Sequence, residues 1–179
     1  MAITKHTVNA SMYAWALLRM VLGYIFLWAF FDKLFGLGFS TCKNSVSGAI
    51  HVGCSQAWIH GGSPTAGFLG HATTGPFAGF YHHLAGHALV DWLFMLGLLV
   101  VGVGLLFGIY VRFAALVGIV MLLLMWSALL WPADAPGVDE HIIYALALFG
   151  IALVDDSQVW GCRSRWNKTS LARSLPFLK

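Results

Sequence analysis

Charge is what this chain has least of. Lys, Arg, Asp and Glu make up 9% of its 179 residues, against about 25% in an ordinary soluble domain, so a water-facing surface of the usual kind cannot be built. Basic residues are also too scattered for nucleic acid. The formal charge is only +3, and outside the apolar runs no Lys/Arg cluster is interleaved with stacking aromatics, so no nucleic-acid partner is expected. Cysteine is scarce too: Cys42, Cys54 and Cys162 are the full set of three. They form no CxxCH haem-attachment site, no CxxC pair and no iron–sulfur spacing, so cysteines announce no redox cofactor.

What is abundant is apolar sequence, at 59% of the chain. It falls into four runs, about Met12 to Leu37, Ala88 to Val111, Phe113 to Trp131 and Glu140 to Val154. At about 1.5 Å per helical residue the first three cross a hydrocarbon core of about 30 Å, while the fourth is shorter. Pro132 and Pro136 end the third, because proline lacks the N–H that would continue a helix. Lys5 and His6 ahead of the first run imitate a secretory signal. The length of that run, and Arg19, Asp32 and Lys33 within it, predict a retained helix instead. The expected fold is all-α: one domain over residues 1–179, an integral membrane four-helix bundle with a long extracytoplasmic loop between helices 1 and 2.

Cytoplasmic segments hold more Lys and Arg than external ones. The tail carries Arg163, Arg165, Lys168, Arg173 and Lys179, and the turn before the third run carries Arg112. Both termini are therefore expected in the cytoplasm of a cell-membrane protein. The loop from Gly38 to His87, with Lys43 as its only Lys or Arg, then faces outward together with Asp134, Asp139 and Glu140. On that oxidising side a disulfide between Cys42 and Cys54 is expected, with Cys162 an ordinary thiol. The loop is about fifty residues long and rich in aromatics, which predicts short helices around Pro76 to Gly86.

Arg19 lies about two turns inside the first run, where a buried cation needs a partner or water. It either snorkels to the interface or faces the bundle. Arg19, Gly23, Phe26, Phe30 and Lys33 recur at three- and four-residue spacing and share one face, expected to look inward. Lys33, Asp91 and the Asp139-Glu140-His141 run end three different helices at one level. His141 and Tyr144 share a face and suit proton exchange with a quinone. Asp139 and Glu140 also fit simple N-terminal capping. The loop histidines His51, His60, His71, His82, His83 and His87 match no zinc spacing, so no metal is expected. Trp15, Trp126, Trp131, Trp160 and Trp166 fit an interfacial belt.

The segments Arg19-x-x-x-Gly23, Phe31-Asp32-Lys33-Leu34-Phe35-Gly36, Gly62-Ser63-Pro64-Thr65, Gly75-Pro76-Phe77-Ala78, Asp91-Trp92-Leu93 and Asp139-Glu140-His141-Ile142-Ile143-Tyr144 resemble the DoxX/DoxD family, in its thiosulfate:quinone oxidoreductase-like branch. That resemblance implies a four-helix membrane bundle which, with a partner subunit, oxidises thiosulfate and passes electrons to membrane quinone. In that scheme Arg19 and Lys33 bind the anion, and His141, Tyr144, Glu140 and Asp91 are the catalytic candidates. Other members of the family are linked to oxidative-stress or thiol defence, and a non-catalytic membrane anchor or a small-solute or anion carrier is an alternative. Impermeant labelling from outside is expected to reach Lys33 and Glu140 on the same side of the membrane. Labelling on opposite sides would dissolve the site.

Overall fold

The computed structural model describes residues 10–44, 47–132, 135–154 and 159–175. Lys5, His6, Asp134 and Lys179, which entered the charge argument, lie outside the described residues. Helix α1 is Ala10–Phe35, α2 Ala78–Leu84, α3 Ala88–Phe107, α4 Val111–Ala128 and α5 Glu140–Leu153, with short α6 Arg163–Trp166 and α7 Ser170–Ser174 in the tail. Among the described residues there is no strand, only a single antiparallel bridge from Lys43 to Ile50.

Three helices, α1, α3 and α4, are long and apolar enough to cross a membrane. Helix α5 has 14 residues and spans about 21 Å, less than a hydrocarbon core of about 30 Å. Local chemistry explains the ends. Gly108 adopts φ +64° and donates its N–H back to the carbonyls of Gly104 and Leu105, a left-handed cap that stops α3. Helix α4 stops at Ala128 rather than Trp131. Pro132 disfavours helical backbone in the residue before it, and the Ala128 carbonyl accepts a hydrogen bond from Thr74 N at 3.0 Å.

The long helices pack in antiparallel neighbours: α1 on α3, α3 on α4, α4 on α5, and α5 back on α1. Glycine sets the closest approach. A Cβ on Gly23 would press on the backbone of Leu105 and Leu106, and one on Gly102 on the backbone of Leu27, so α1 and α3 nearly touch main chain to main chain. Leu22, Phe26, Met95, Val101, Leu105, Leu122, Leu148 and Ile151 fill the interior. The outer faces are just as apolar. Leu17, Val21, Leu93, Leu96, Leu116, Val120, Leu146 and Phe149 are all exposed, an arrangement that water penalises and lipid tolerates.

Between α1 and α3 the chain makes a 3-10 turn at Trp58–His60, a π turn at Phe68–Ala72 and a 3-10 turn at Gly75–Phe77 that leads into α2. These pieces cover the ends of the long helices. The Trp58–His60 turn packs on α1 and the Gly75–Phe77 turn on α4. Tyr81 of α2 donates its hydroxyl to the Leu124 carbonyl at 3.1 Å, and its oxygen lies 2.5 Å from Ser127 Oγ. The end of the helices beneath this segment is here termed the loop end, and the opposite one the tail end.

Replacing Gly23 by Leu should force α1 off α3 and cost about 1–3 kcal/mol, the usual range for overpacking. Gly79, whose Cβ position has nothing within 4 Å, should accept Ala with no loss, since Ala is the better helix former. Thermal unfolding in lipid discs distinguishes the two.

Candidate functional site

At the tail end, Arg19 is fully buried. Its guanidinium donates to the carbonyl of Leu105, more weakly to that of Leu106 at 3.5 Å, and to that of Val159 at 3.1 Å. Nε is buried, with no hydrogen-bond partner among the described residues. The last carbonyls of α3 lack the regular i+4 donors of a continuing helix and carry the negative end of the helix dipole, so a cation is well placed there. Cys162 N donates to the Phe107 carbonyl at 2.8 Å alongside, and the tail is thereby stitched to α3. Arg19 thus faces inward rather than snorkelling. Its role differs from the expected anion contact, because protein carbonyls already fill three of its donor positions. It also stands fourteen residues from Lys33 on α1, or about 21 Å along the axis, so the two cannot hold one small anion.

At the loop end of α1, Asp32 is 1% exposed. Its carboxylate accepts the backbone N–H groups of Phe39, Ser40 and Thr41 at 3.0, 2.9 and 3.0 Å and the Ser40 hydroxyl at 2.7 Å. This clasp folds the chain back over the helix end, where Cys42 and Cys54 form a disulfide. Lys33 donates to Ser40 Oγ at 3.1 Å and lies 5.8 Å from the centroid of the Phe94 ring. Among the described residues no ion pair neutralises it.

Asp91, in the first turn of α3, is 6% exposed. Its Oδ1 accepts the hydroxyls of Ser63 and Thr65 at 2.8 and 2.5 Å and the Thr65 N–H at 3.3 Å. It lines a cleft of about 280 Å³ together with Trp58 and Trp92.

At the start of α5, Asp139 is the N-cap, with Oδ1 accepting the N–H groups of His141 and Ile142 at 3.1 and 3.4 Å. Its other oxygen lies 2.8 Å from His141 Nδ1. Capping and orientation of the imidazole are therefore one arrangement rather than rival readings. His141 is buried, Tyr144 packs one turn on against the core, and Glu140 is exposed.

Lys33, Asp91 and His141 all sit at the loop end, but among the described residues no hydrogen bond or ion pair joins any two of them. The six loop histidines are all exposed. One ligand atom each from Asp139, Glu140 and His141 lies within 4.8 Å of the others, with His141 Nδ1 already engaged by Asp139. Sequence reasoning missed the Ser63 and Thr65 contacts to Asp91 and the Val159 contact to Arg19, both long-range. The Asp139–His141 contact had a local signal, an acid two residues before a histidine at a helix start.

An all-helical chain, with three apolar helices able to cross a bilayer and charged side chains folded into their ends, is a helical membrane protein. It belongs to the DoxX family, whose model matches residues 14–131, from the first turns of α1 past the end of α4. Arg19, Lys33 and Asp91 lie inside the matched segment, and Asp139, Glu140, His141 and Tyr144 lie beyond it. No curated protein and no solved structure matches the chain.

Arg19→Met should remove the guanidinium donor from the Val159 carbonyl and leave the Leu105 carbonyl with the Gly108 N–H alone, at a cost of about 1–3 kcal/mol. Limited proteolysis should then cut residues 159–166 faster than in the parent protein. Unchanged cleavage would show that Arg19 does not hold the tail.

Proposed function

We propose that the protein is the membrane subunit of a thiosulfate:quinone oxidoreductase-like enzyme, working with a partner subunit in the cell membrane. The observation that carries this reading is the Asp139–His141 pair at 2.8 Å. A carboxylate on Nδ1 fixes the ring and leaves Nε2 available to exchange a proton with a bound quinone. Tyr144, three residues on, supplies a hydroxyl on the same face as a second proton-exchanging group, and exposed Glu140 offers a route for protons to water. Lys33, a cation with no ion-pair partner among the described residues, attracts the dianionic donor. Two thiosulfates join through a new S–S bond and release two electrons. The quinone takes these up with two protons and leaves as quinol.

In this reading α5 completes a fourth crossing, so both termini are cytoplasmic and the disulfide-bearing segment is outside. Support comes from the exposed apolar row Ile143, Leu146, Phe149 and Leu153, which forms a lipid-facing side on α5. A second reading, a non-catalytic anchor that docks a redox partner, is favoured by Arg19 and Asp32, whose hydrogen bonds all go to architecture.

His141→Gln should lower thiosulfate-dependent quinone reduction by about 100- to 10,000-fold, the range for losing a positioned acid or base. Asp139→Asn keeps the cap and should lower turnover while leaving the melting temperature unchanged. Asp139→Ala should also destabilise α5 by about 1 kcal/mol. Absence of any thiosulfate-dependent quinone reduction by the protein together with its partner subunit would leave the anchor reading.

A further inference from the structure

The cleft at the loop end of α3 has a chemistry that the sulfur anion does not explain. Two of its walls are Trp58 and Trp92, with ring centroids 4.7 Å apart and planes at 72°. A third is Asp91, more than nine-tenths buried. Ser63 and Thr65 bond to Oδ1 only. Among the described residues neither a hydrogen bond nor an ion pair reaches Oδ2. A buried carboxylate is stabilised by donors or a cation at its oxygens, and here Oδ2 has neither among the described residues. Lys33, the cation at the loop end of α1, bonds to Ser40 and does not line the cleft.

Glycine keeps the remaining walls open. Gly61 and Gly86 take φ of +85° and +74°, where larger side chains are strained; the Cβ position of Gly61 has nothing within 4 Å, and that of Gly86 meets only Ala66 at 3.9 Å. Aromatic rings can hold cations, and the Asp91 carboxylate adds full charge, so a cleft with this lining favours an ammonium over an anion. At about 280 Å³ the space is just below the usual range for drug-sized ligands, and it suits a small head. Trp92 is 56% exposed at the start of a membrane-length helix, the level at which lipid headgroups lie.

We infer that the cleft formed by Asp91, Trp58 and Trp92 binds an organic ammonium group, supplied either by a free small amine or by the headgroup of an ethanolamine or choline lipid. The inference is independent of the oxidoreductase reading and uses none of its steps.

The test uses the full-length protein in discs of phosphatidylglycerol alone, titrated with tetramethylammonium chloride while tryptophan fluorescence is followed. Sodium chloride is the ionic control and tert-butanol the neutral one. A saturable change specific to tetramethylammonium is expected. Asp91→Asn, which keeps the shape and removes the charge, and Ala88→Phe, which fills the cleft from its rim, should each raise the midpoint about tenfold or more. Should Asp91→Asn fail to fold, Ala88→Phe and the neutral control still decide. Repeating the titration with phosphatidylethanolamine in the disc separates the sources. A raised midpoint means that the headgroup occupies the cleft, and an unchanged one means that a free amine is the ligand. No saturable change, an equal response to tert-butanol, or unaltered midpoints in the folded variants would overturn the inference.

Discussion

A helix in hydrocarbon satisfies the polar groups of its middle but not those of its ends, and no water is at hand to finish the task. This chain meets that constraint with its few charged residues. Arg19 covers the carbonyls that end α3 and ties the tail to them. Asp32 gathers three amides of the segment that leaves α1. Asp91 holds the Ser63–Thr65 turn against the start of α3, and Asp139 closes the start of α5. Asp91 and Asp139 stand at helix N-termini and Arg19 at a C-terminus, each where the dipole favours it. Asp32 is the exception, a carboxylate in the last turn of its helix, and it is offset by the N–H and hydroxyl donors aimed at it.

The same economy shapes the chemistry at the loop end. Among the described residues Lys33 has no ion pair, the hydrogen bonds of Asp91 all fall on one oxygen, and His141 is held by Nδ1. Because no hydrogen bond or ion pair links these three among the described residues, they make separate positions of different sign rather than one cluster.

Much of this was legible in the sequence for reasons that are local. Long apolar runs mark α1, α3 and α4, and the spacing of Arg19, Gly23, Phe26, Phe30 and Lys33 marked the face of α1 that turns inward. Ends were harder, since α4 stops early where a hydrogen bond from Thr74, more than fifty residues upstream, draws on its last carbonyls. The partners of Arg19 and Asp91 were not legible at all: a carbonyl has no sequence identity, and hydroxyls as common as those of Ser63 and Thr65 give no signal until the fold places them. The 14-residue length of α5 was visible in its short apolar run, whereas the orientation of His141 by Asp139 required coordinates.

Arg19 belongs to the earliest of the described helices, yet one of its acceptors, Val159, follows 140 residues later. Throughout translation of the intervening helices the guanidinium has no finished socket. Until the tail is made, the guanidinium has only the carbonyls at the end of α3 to meet. A truncated chain would leave that cation stranded, a built-in mark of incompleteness that membrane quality control could read.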